Sequence, residues 1–167
     1  VPGEENSSLA KKNGYVINLD RAEKLEKMTY SSLFSKAGII VLEDTDESLL
    51  GKVDKLEVCD NNLYVLEKGR GLFLFNKQGK FIKMIGRQGK GPGEYIDPDD
   101  ISIDRENKKI YVLDSQTQNV LKYSGNGTFE SSFKLENKGT RSTFIQPFKN
   151  ALYTNLYTFD KSGKRFL

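Results

Sequence analysis

From Leu56 onward the chain sets down short apolar runs, each closed by Gly, Asn, Asp or Ser, and the runs recur as a block. KLEVCDNNLYVLEKGRGLFLFNKQGKFIKMI, starting at Lys55, aligns with DISIDRENKKIYVLDSQTQNVLKYSGNGTFESSF, starting at Asp100. Leu56 and Val58 match Ile101 and Ile103 at an offset of 45, and Leu63-Tyr64-Val65-Leu66 matches Ile110-Tyr111-Val112-Leu113 at 47. Phe75, Gly79 and Phe81 match Tyr123, Gly127 and Phe129 at 48. Self-similarity at such a period marks a tandem array of one supersecondary unit. Each copy predicts four strands: 55–59, 63–67, 72–76 and 80–85 in the first, then 100–104, 109–114, 120–124 and 128–135 in the second. The turns between them carry Asp60-Asn61-Asn62, Asn76-Lys77-Gln78-Gly79 and Ser124-Gly125-Asn126-Gly127, where Gly and Asn accept the positive φ of tight hairpins.

The second strand of each copy is apolar at consecutive positions, which requires cover on both faces. The fourth strand is more polar, as an outer edge strand should be. Four strands per period of about 45 residues, with doubly covered middle strands, predict an all-β chain and favour a β-propeller over a β-sandwich or open barrel. The expected organisation is a flexible leader at 1–13, an opening segment with a propeller-closing strand at 14–52, blades at 53–97 and 98–140, and an incomplete blade at 141–167. In that last part 143–149 and 151–159 predict strands, with a turn at Asp160-Lys161-Ser162-Gly163. The only helix expected is a short one at 30–36.

Composition removes several classes of function. The chain has no histidine, so most catalytic zinc sites and hydrolase triads lack their usual ligand or base. Its single cysteine, Cys59, rules out an intrachain disulfide and lies in an apolar strand pattern, as a buried structural thiol would. Lys and Arg number 26 against 23 Asp and Glu, a net charge of +3 scattered along the chain, so nucleic-acid binding is not suggested. No apolar run reaches the roughly 18 residues of a membrane helix.

The connector Ile85-Gly86-Arg87-Gln88-Gly89-Lys90-Gly91-Pro92-Gly93-Glu94-Tyr95, the strand motifs Asp100-Ile101-Ser102-Ile103-Asp104 and Ile110-Tyr111-Val112-Leu113-Asp114, and the Tyr123 to Phe129 turn resemble NHL-repeat propellers. More closely, they resemble the six-bladed β-propeller family of Bacteroides-type lipoproteins. Residues 39–53 also look like that family's opening segment, although Lys90 stands where Gln is commoner. The resemblance implies an extracytoplasmic, periplasmic or cell-surface lipoprotein of the NHL-like, six-bladed type, here with about two complete blades. Six blades of about 46 residues would need near 280. The chain therefore reads as a fragment of a longer propeller, or as half of a homodimeric ring if it is natively this short.

In a propeller the connector lies on the same face as the turn between strands two and three. Arg87, Gln88, Lys90 and Tyr95 are then candidate ligand-binding residues together with Lys68 and Arg70, a basic, amide-rich and aromatic surface suited to an anionic or glycan ligand. The plainer reading is that Gly89, Gly91, Pro92 and Gly93 shape a tight loop whose charges are solvated. The glycines do not form a phosphate loop, because Pro-Gly-Glu follows where Ser or Thr should open a helix. Carboxylates at Asp97, Asp99, Asp100 and Asp104, and again at Glu43, Asp44, Asp46 and Glu47, lack a calcium-loop pattern and read as loop residues, so no cofactor and no metal are implied. Glu67 and Asp114, closing the second strands, are expected to accept hydrogen bonds from loop amides. These features point to a non-catalytic binding or scaffolding protein that presents loops to a protein or glycan partner. The alternative is part of a propeller enzyme, a lyase or hydrolase, whose catalytic residues lie outside this chain.

Overall fold

The computed structural model describes residues 27–136, 140–149, 151–155, 157–159 and 165–166. The expected leader at 1–13, the first part of the opening segment at 14–26 and the turn at 160–163 lie outside the described residues. The chain divides into two units, Val1–Gly38 and Ile39–Leu167. Within the first, α1 (Tyr30–Leu33) is a single turn, shorter than the 30–36 expected. It stops because Phe34 is already extended, with φ −128° and ψ 129°.

The second unit is all-β. β1 (Lys55–Cys59), β2 (Asn62–Glu67), β3 (Gly71–Asn76) and β4 (Phe81–Ile85) form one antiparallel sheet in chain order. β5 (Pro98–Asp104), β6 (Lys109–Asp114), β7 (Asn119–Ser124) and β8 (Phe129–Lys134) form a second sheet in the same order. Adjacent antiparallel strands need only hairpins between them, and the Asn and Gly turns supply these. Asn76 Oδ1, for instance, accepts from the amides of Gln78 at 3.0 Å and Lys80 at 2.9 Å, closing the β3–β4 turn.

Because side chains alternate between the two faces of a strand, each sheet has a front and a rear. The front of the first sheet carries Leu63, Val65, Phe73 and Phe75, and Leu42 and Leu50 from the segment before β1 pack on it. That segment is tied down where the amide of Glu43 donates to Gly79 O at 2.7 Å and Glu43 Oε2 accepts from the amide of Phe81 at 2.9 Å. The approach is so close that a Cβ on Gly79, which sits at φ +83°, would meet Val41 O. The rear of the first sheet carries Tyr64, Leu66, Leu72 and Leu74, and it packs on Ile101, Ile103, Ile110, Val112 and Leu121 from the front of the second. The rear of the second sheet, with Leu113 and Val120, packs in turn on Ile145 and Leu152. The middle strands β2 and β6 are therefore buried on both sides, whereas β8 is exposed along most of its length, as their patterns predict.

First strands of successive layers lie side by side. Lys55 Nζ pairs with Asp100 Oδ1 at 2.8 Å, and Asp100 Oδ2 accepts from the amide of Ile145 at 2.8 Å, a rung that repeats every 45 residues. Beyond Ser142 the sequence-based expectation needs amending. The stretch 151–159 is not one strand: β11 (Ala151–Thr154) pairs with β10 (Ile145–Phe148), while β12 (Tyr157–Phe159) joins β9 (Thr140–Arg141) and β13 (Arg165–Phe166) in another sheet. Asn155 causes the break, because its Oδ1 accepts from the amides of Thr143 at 3.0 Å and Phe144 at 2.9 Å, closing the end of the hairpin with a side chain.

What the structure establishes about architecture is an all-β fold of antiparallel sheets. Among the described residues no helix is long and apolar enough to cross a membrane. The layered core makes a quantitative expectation. Leu66→Ala should lower the unfolding free energy by about 2–5 kcal/mol in urea titrations, whereas Ile82→Ala, on the half-exposed face of β4, should move it by about 0.5 kcal/mol or less. Equal losses at the two positions would contradict the layering.

Candidate functional site

The connector 86–95 leaves β4 at Ile85 and doubles back on itself. Tyr95 N donates to Arg87 O at 3.1 Å, Gly89 N donates to Tyr95 O at 3.1 Å, and Glu94 N donates to Gly91 O at 3.1 Å. Glu94 locks the tip: its Oε2 accepts from Gly91 N at 2.9 Å and its Oε1 from Arg87 Nε at 2.6 Å. The Gly91 amide first, then Arg87, holds the Glu94 carboxyl below its ordinary range, so it stays ionised through mild acid. Gly93 sits at φ +73°, and a Cβ there would lie 2.8 Å from Phe129 Cβ and Cγ. Glycine is thus required for the connector to press on β8.

Of the six residues singled out from sequence, the structure brings several together. Gln88 Nε2 donates to Gly69 O at 2.7 Å, so the connector does meet the β2–β3 turn that holds Lys68 and Arg70. The cations there are committed to neighbouring carboxylates. Lys68 Nζ pairs with Asp99 at 2.7 Å, a hydrogen bond that raises its pKa, and Arg70 Nη1 pairs with Glu67 at 3.2 Å while also donating to Leu49 O. With Arg87 held by Glu94, Lys90 alone of the four makes no ion pair among the described residues. Tyr95 is not on the surface at all. Its side chain is 0% exposed, its hydroxyl donates to Ile85 O at 2.9 Å and accepts from Leu72 N at 3.1 Å, and burial raises its pKa. The ring closes the gap between the start of β3 and the end of β4, an internal place that a glycine-rich loop does not advertise.

The carboxylates closing the second strands behave as their position suggested. Glu67 Oε2 accepts from Gly51 N at 3.2 Å, and Asp114 Oδ2 accepts from Ile96 N at 2.8 Å, so each fastens the connector entering its own sheet. Asp114 Oδ1 also takes the amides of Gln116 at 3.0 Å and Thr117 at 3.1 Å. Among the described residues no group of three or more His, Cys, Asp or Glu is placed to hold a metal ion.

A cleft of about 700 Å³ opens between the connector tip and the outer half of the second sheet. Lys90, Pro92 and Gly93 form its loop wall; Leu121, Phe129, Asn119 and Ser132 form its sheet wall, with Ser131 beside them and Thr117 at its base. The Thr117 Oγ1 atom is buried and has no hydrogen-bond partner among the described residues. Of this lining the sequence singled out Lys90 as a ligand-binding candidate and passed over the sheet wall, yet the repeat contains a signal there. At the offset of 48, Ser132 stands where the first copy has Met84, and Asn119 where it has Gly71. Met84 in the first sheet packs on the apolar front cluster.

A chain of consecutive four-stranded antiparallel sheets stacked face to face defines a tandem all-β protein. It belongs to the family described as Domain of unknown function (DUF4934), whose profile matches residues 14–165. Among solved structures the chain is similar to the "Putative exported protein" of Bacteroides fragilis NCTC 9343, at 23% identity with a TM-score of 0.64, over 75% of this chain and 39% of that one. At that identity the likeness speaks for the fold alone, and the chain spans about two fifths of that protein's length. No curated protein matches.

The family finding corrects the assignment to NHL-like six-bladed propellers of Bacteroides-type lipoproteins. The signatures behind that resemblance encode a glycine-rich connector and a doubly covered second strand. Both report local architecture, and the matching profile places the chain in the DUF4934 family.

Tyr95→Phe should cost about 1–3 kcal/mol, because the buried Leu72 N–H loses its acceptor. Burial raises the hydroxyl pKa of both Tyr95 and Tyr123. Their contribution to stability is therefore complete below the ordinary tyrosine value of about 10 and is lost as pH climbs past it toward the raised folded values. Thermal melts between mild and strong alkali should fall accordingly, and a midpoint that stays level across that range would refute the burial of both rings.

Proposed function

We propose that this chain is a non-catalytic binding scaffold that works outside the cytoplasm and offers its connector end to a protein or glycan partner, and that its two four-stranded sheets are consecutive blades of a β-propeller. The propeller arrangement draws support from an asymmetry between the two copies. Ile101 and Ile103 on the front of the second sheet are 0% and 6% exposed under the rear of the first, whereas their counterparts Leu56 and Val58 are 52% and 50% exposed. A ring in which every sheet is covered by the one before it would bury that remaining face. The extracytoplasmic reading draws support from the exported designation of the Bacteroides fragilis protein.

One observation carries the binding reading: the connector is fixed in place before any partner arrives. Glu94, Arg87 and Gln88 spend their polar groups on the loop itself and on Gly69, and the tip overhangs an open cleft. A loop already ordered in its working shape loses little conformational entropy on binding.

Isothermal titration of the chain with a panel of soluble oligosaccharides and peptides, followed by chromatographic recovery of each titrant, tests this reading. The expected result is saturable, reversible heat with one titrant class and its recovery unchanged. Chemical conversion of the titrant, or no heat from any member of the panel, would overturn it.

A further inference from the structure

Function in a repeat protein is sought where one copy departs from the packing rule that the other obeys. In the first sheet the outer front face is apolar, with Met84, Phe81, Phe73 and Phe75 packed under Leu42 and Leu50. In the second sheet the same positions carry Ser132, Phe129, Leu121 and Tyr123, Asn119 replaces Gly71, and a cleft opens over Asn119, Leu121, Phe129 and Ser132. The same strand layout accepts an apolar version of this face, as the first sheet shows.

The chemistry of the lining narrows what the cleft accepts. Thr117 Oγ1 is buried and has no hydrogen-bond partner among the described residues, and a buried hydroxyl left unsatisfied costs free energy that a ligand hydroxyl would recover. Ser131 and Ser132 are exposed, and with Asn119 they add neutral donors and acceptors. Phe129, held edge-on by Tyr123 with ring centroids 5.8 Å apart, and Pro92 supply apolar surface. The carboxylates at hand, Glu94 and Asp114, are engaged by the connector and turn amides, and Arg87 is engaged by Glu94. A phosphate or sulfate would need clustered free cations, and Lys90 stands alone at the rim. Neutral hydroxyl and amide groups beside an aromatic ring match a polyhydroxylated ring with one apolar face.

We infer that the cleft between the connector tip and β7–β8 binds a single sugar ring, with Thr117, Asn119 and Ser132 engaging its hydroxyls and Phe129 supporting its apolar face. This inference rests on the binding-scaffold reading and names the ligand class and the residues for it. The edge strand β8 offers a different partner, an extended peptide, which the test separates.

Methyl glycosides of glucose, galactose and mannose, with galacturonate added to probe the rim lysine, are to be titrated into the isotopically labelled chain by NMR. The expected result is saturable amide shifts at Thr117, Asn119, Ser131 and Ser132 with at least one of these probes. Ser132→Met, which copies the first sheet, should weaken that binding by about tenfold or more, equivalent to the loss of about 1.4 kcal/mol. Thr117→Val should weaken it by roughly three- to tenfold while leaving the melting temperature of the free chain unchanged or higher, because it removes an unsatisfied hydroxyl. A stabilising Thr117→Val with unaltered sugar affinity would overturn the assignment, as would shifts confined to another surface. Binding of peptides but no sugar would defeat the sugar site and leave the scaffold reading standing; silence toward both classes would defeat both.

Discussion

The rear of the first four-stranded sheet lies against the front of the second, and the remainder of the molecule depends on that contact. Strands as apolar as β2 and β6 cannot rest with one face in water, and each buried Leu, Ile or Val side chain contributes about 1.5–3 kcal/mol once covered. Leu66, Leu72, Ile101, Ile110 and Val112 are all fully removed from solvent in this layer. The same logic extends outward on either side, with Leu42 and Leu50 on one flank and Ile145 and Leu152 on the other. Stability in such an array is approximately a sum of sheets and of the interfaces between successive sheets.

Polar groups set the register of the stack. Asp100 is nearly buried, and its two oxygens are taken by Lys55 from the layer before and by the Ile145 amide from the layer after. A buried carboxylate is tolerated when both lone-pair sets are matched in this way, and its directional bonds fix which residues of the three first strands face one another. Glu67 and Asp114 act at the other end of their sheets, each drawing in the backbone of the connector that precedes it. Charge on the connector end is neutralised pairwise at Lys68, Arg70 and Arg87, which leaves that end less basic than its composition suggests.

Much of this architecture was legible in the sequence because it rests on local rules. The bounds of β1 and β6 fall where the pattern put them, and the other six strands of the two sheets differ by a residue or two. Doubly apolar Leu-Tyr-Val-Leu and Ile-Tyr-Val-Leu announced the burial of both faces, and Cys59 is buried as its strand setting implied. What escaped depends on distance along the chain. Lys68 and Asp99 are far apart in sequence, so a lysine that looked free is paired. Tyr95 follows four glycines and a proline and reads as surface, yet its pocket is made by the ends of β3 and β4. Asn155 breaks what periodicity counted as one strand by satisfying two amides of a neighbouring segment. The cleft was readable only by comparing Ser132 and Asn119 with Met84 and Gly71, since neither residue is unusual by itself.

The placement of Tyr95 also bears on the order in which the molecule assembles. Its hydroxyl needs both the Leu72 amide and the Ile85 carbonyl, so the socket exists only after β3 and β4 have come together. Synthesis delivers those strands before the tyrosine, and the Leu72 amide of the earlier sheet gains its acceptor only when the ring arrives. The ring then anchors the chain that leads into β5, which makes each finished layer the mould on which the next is cast.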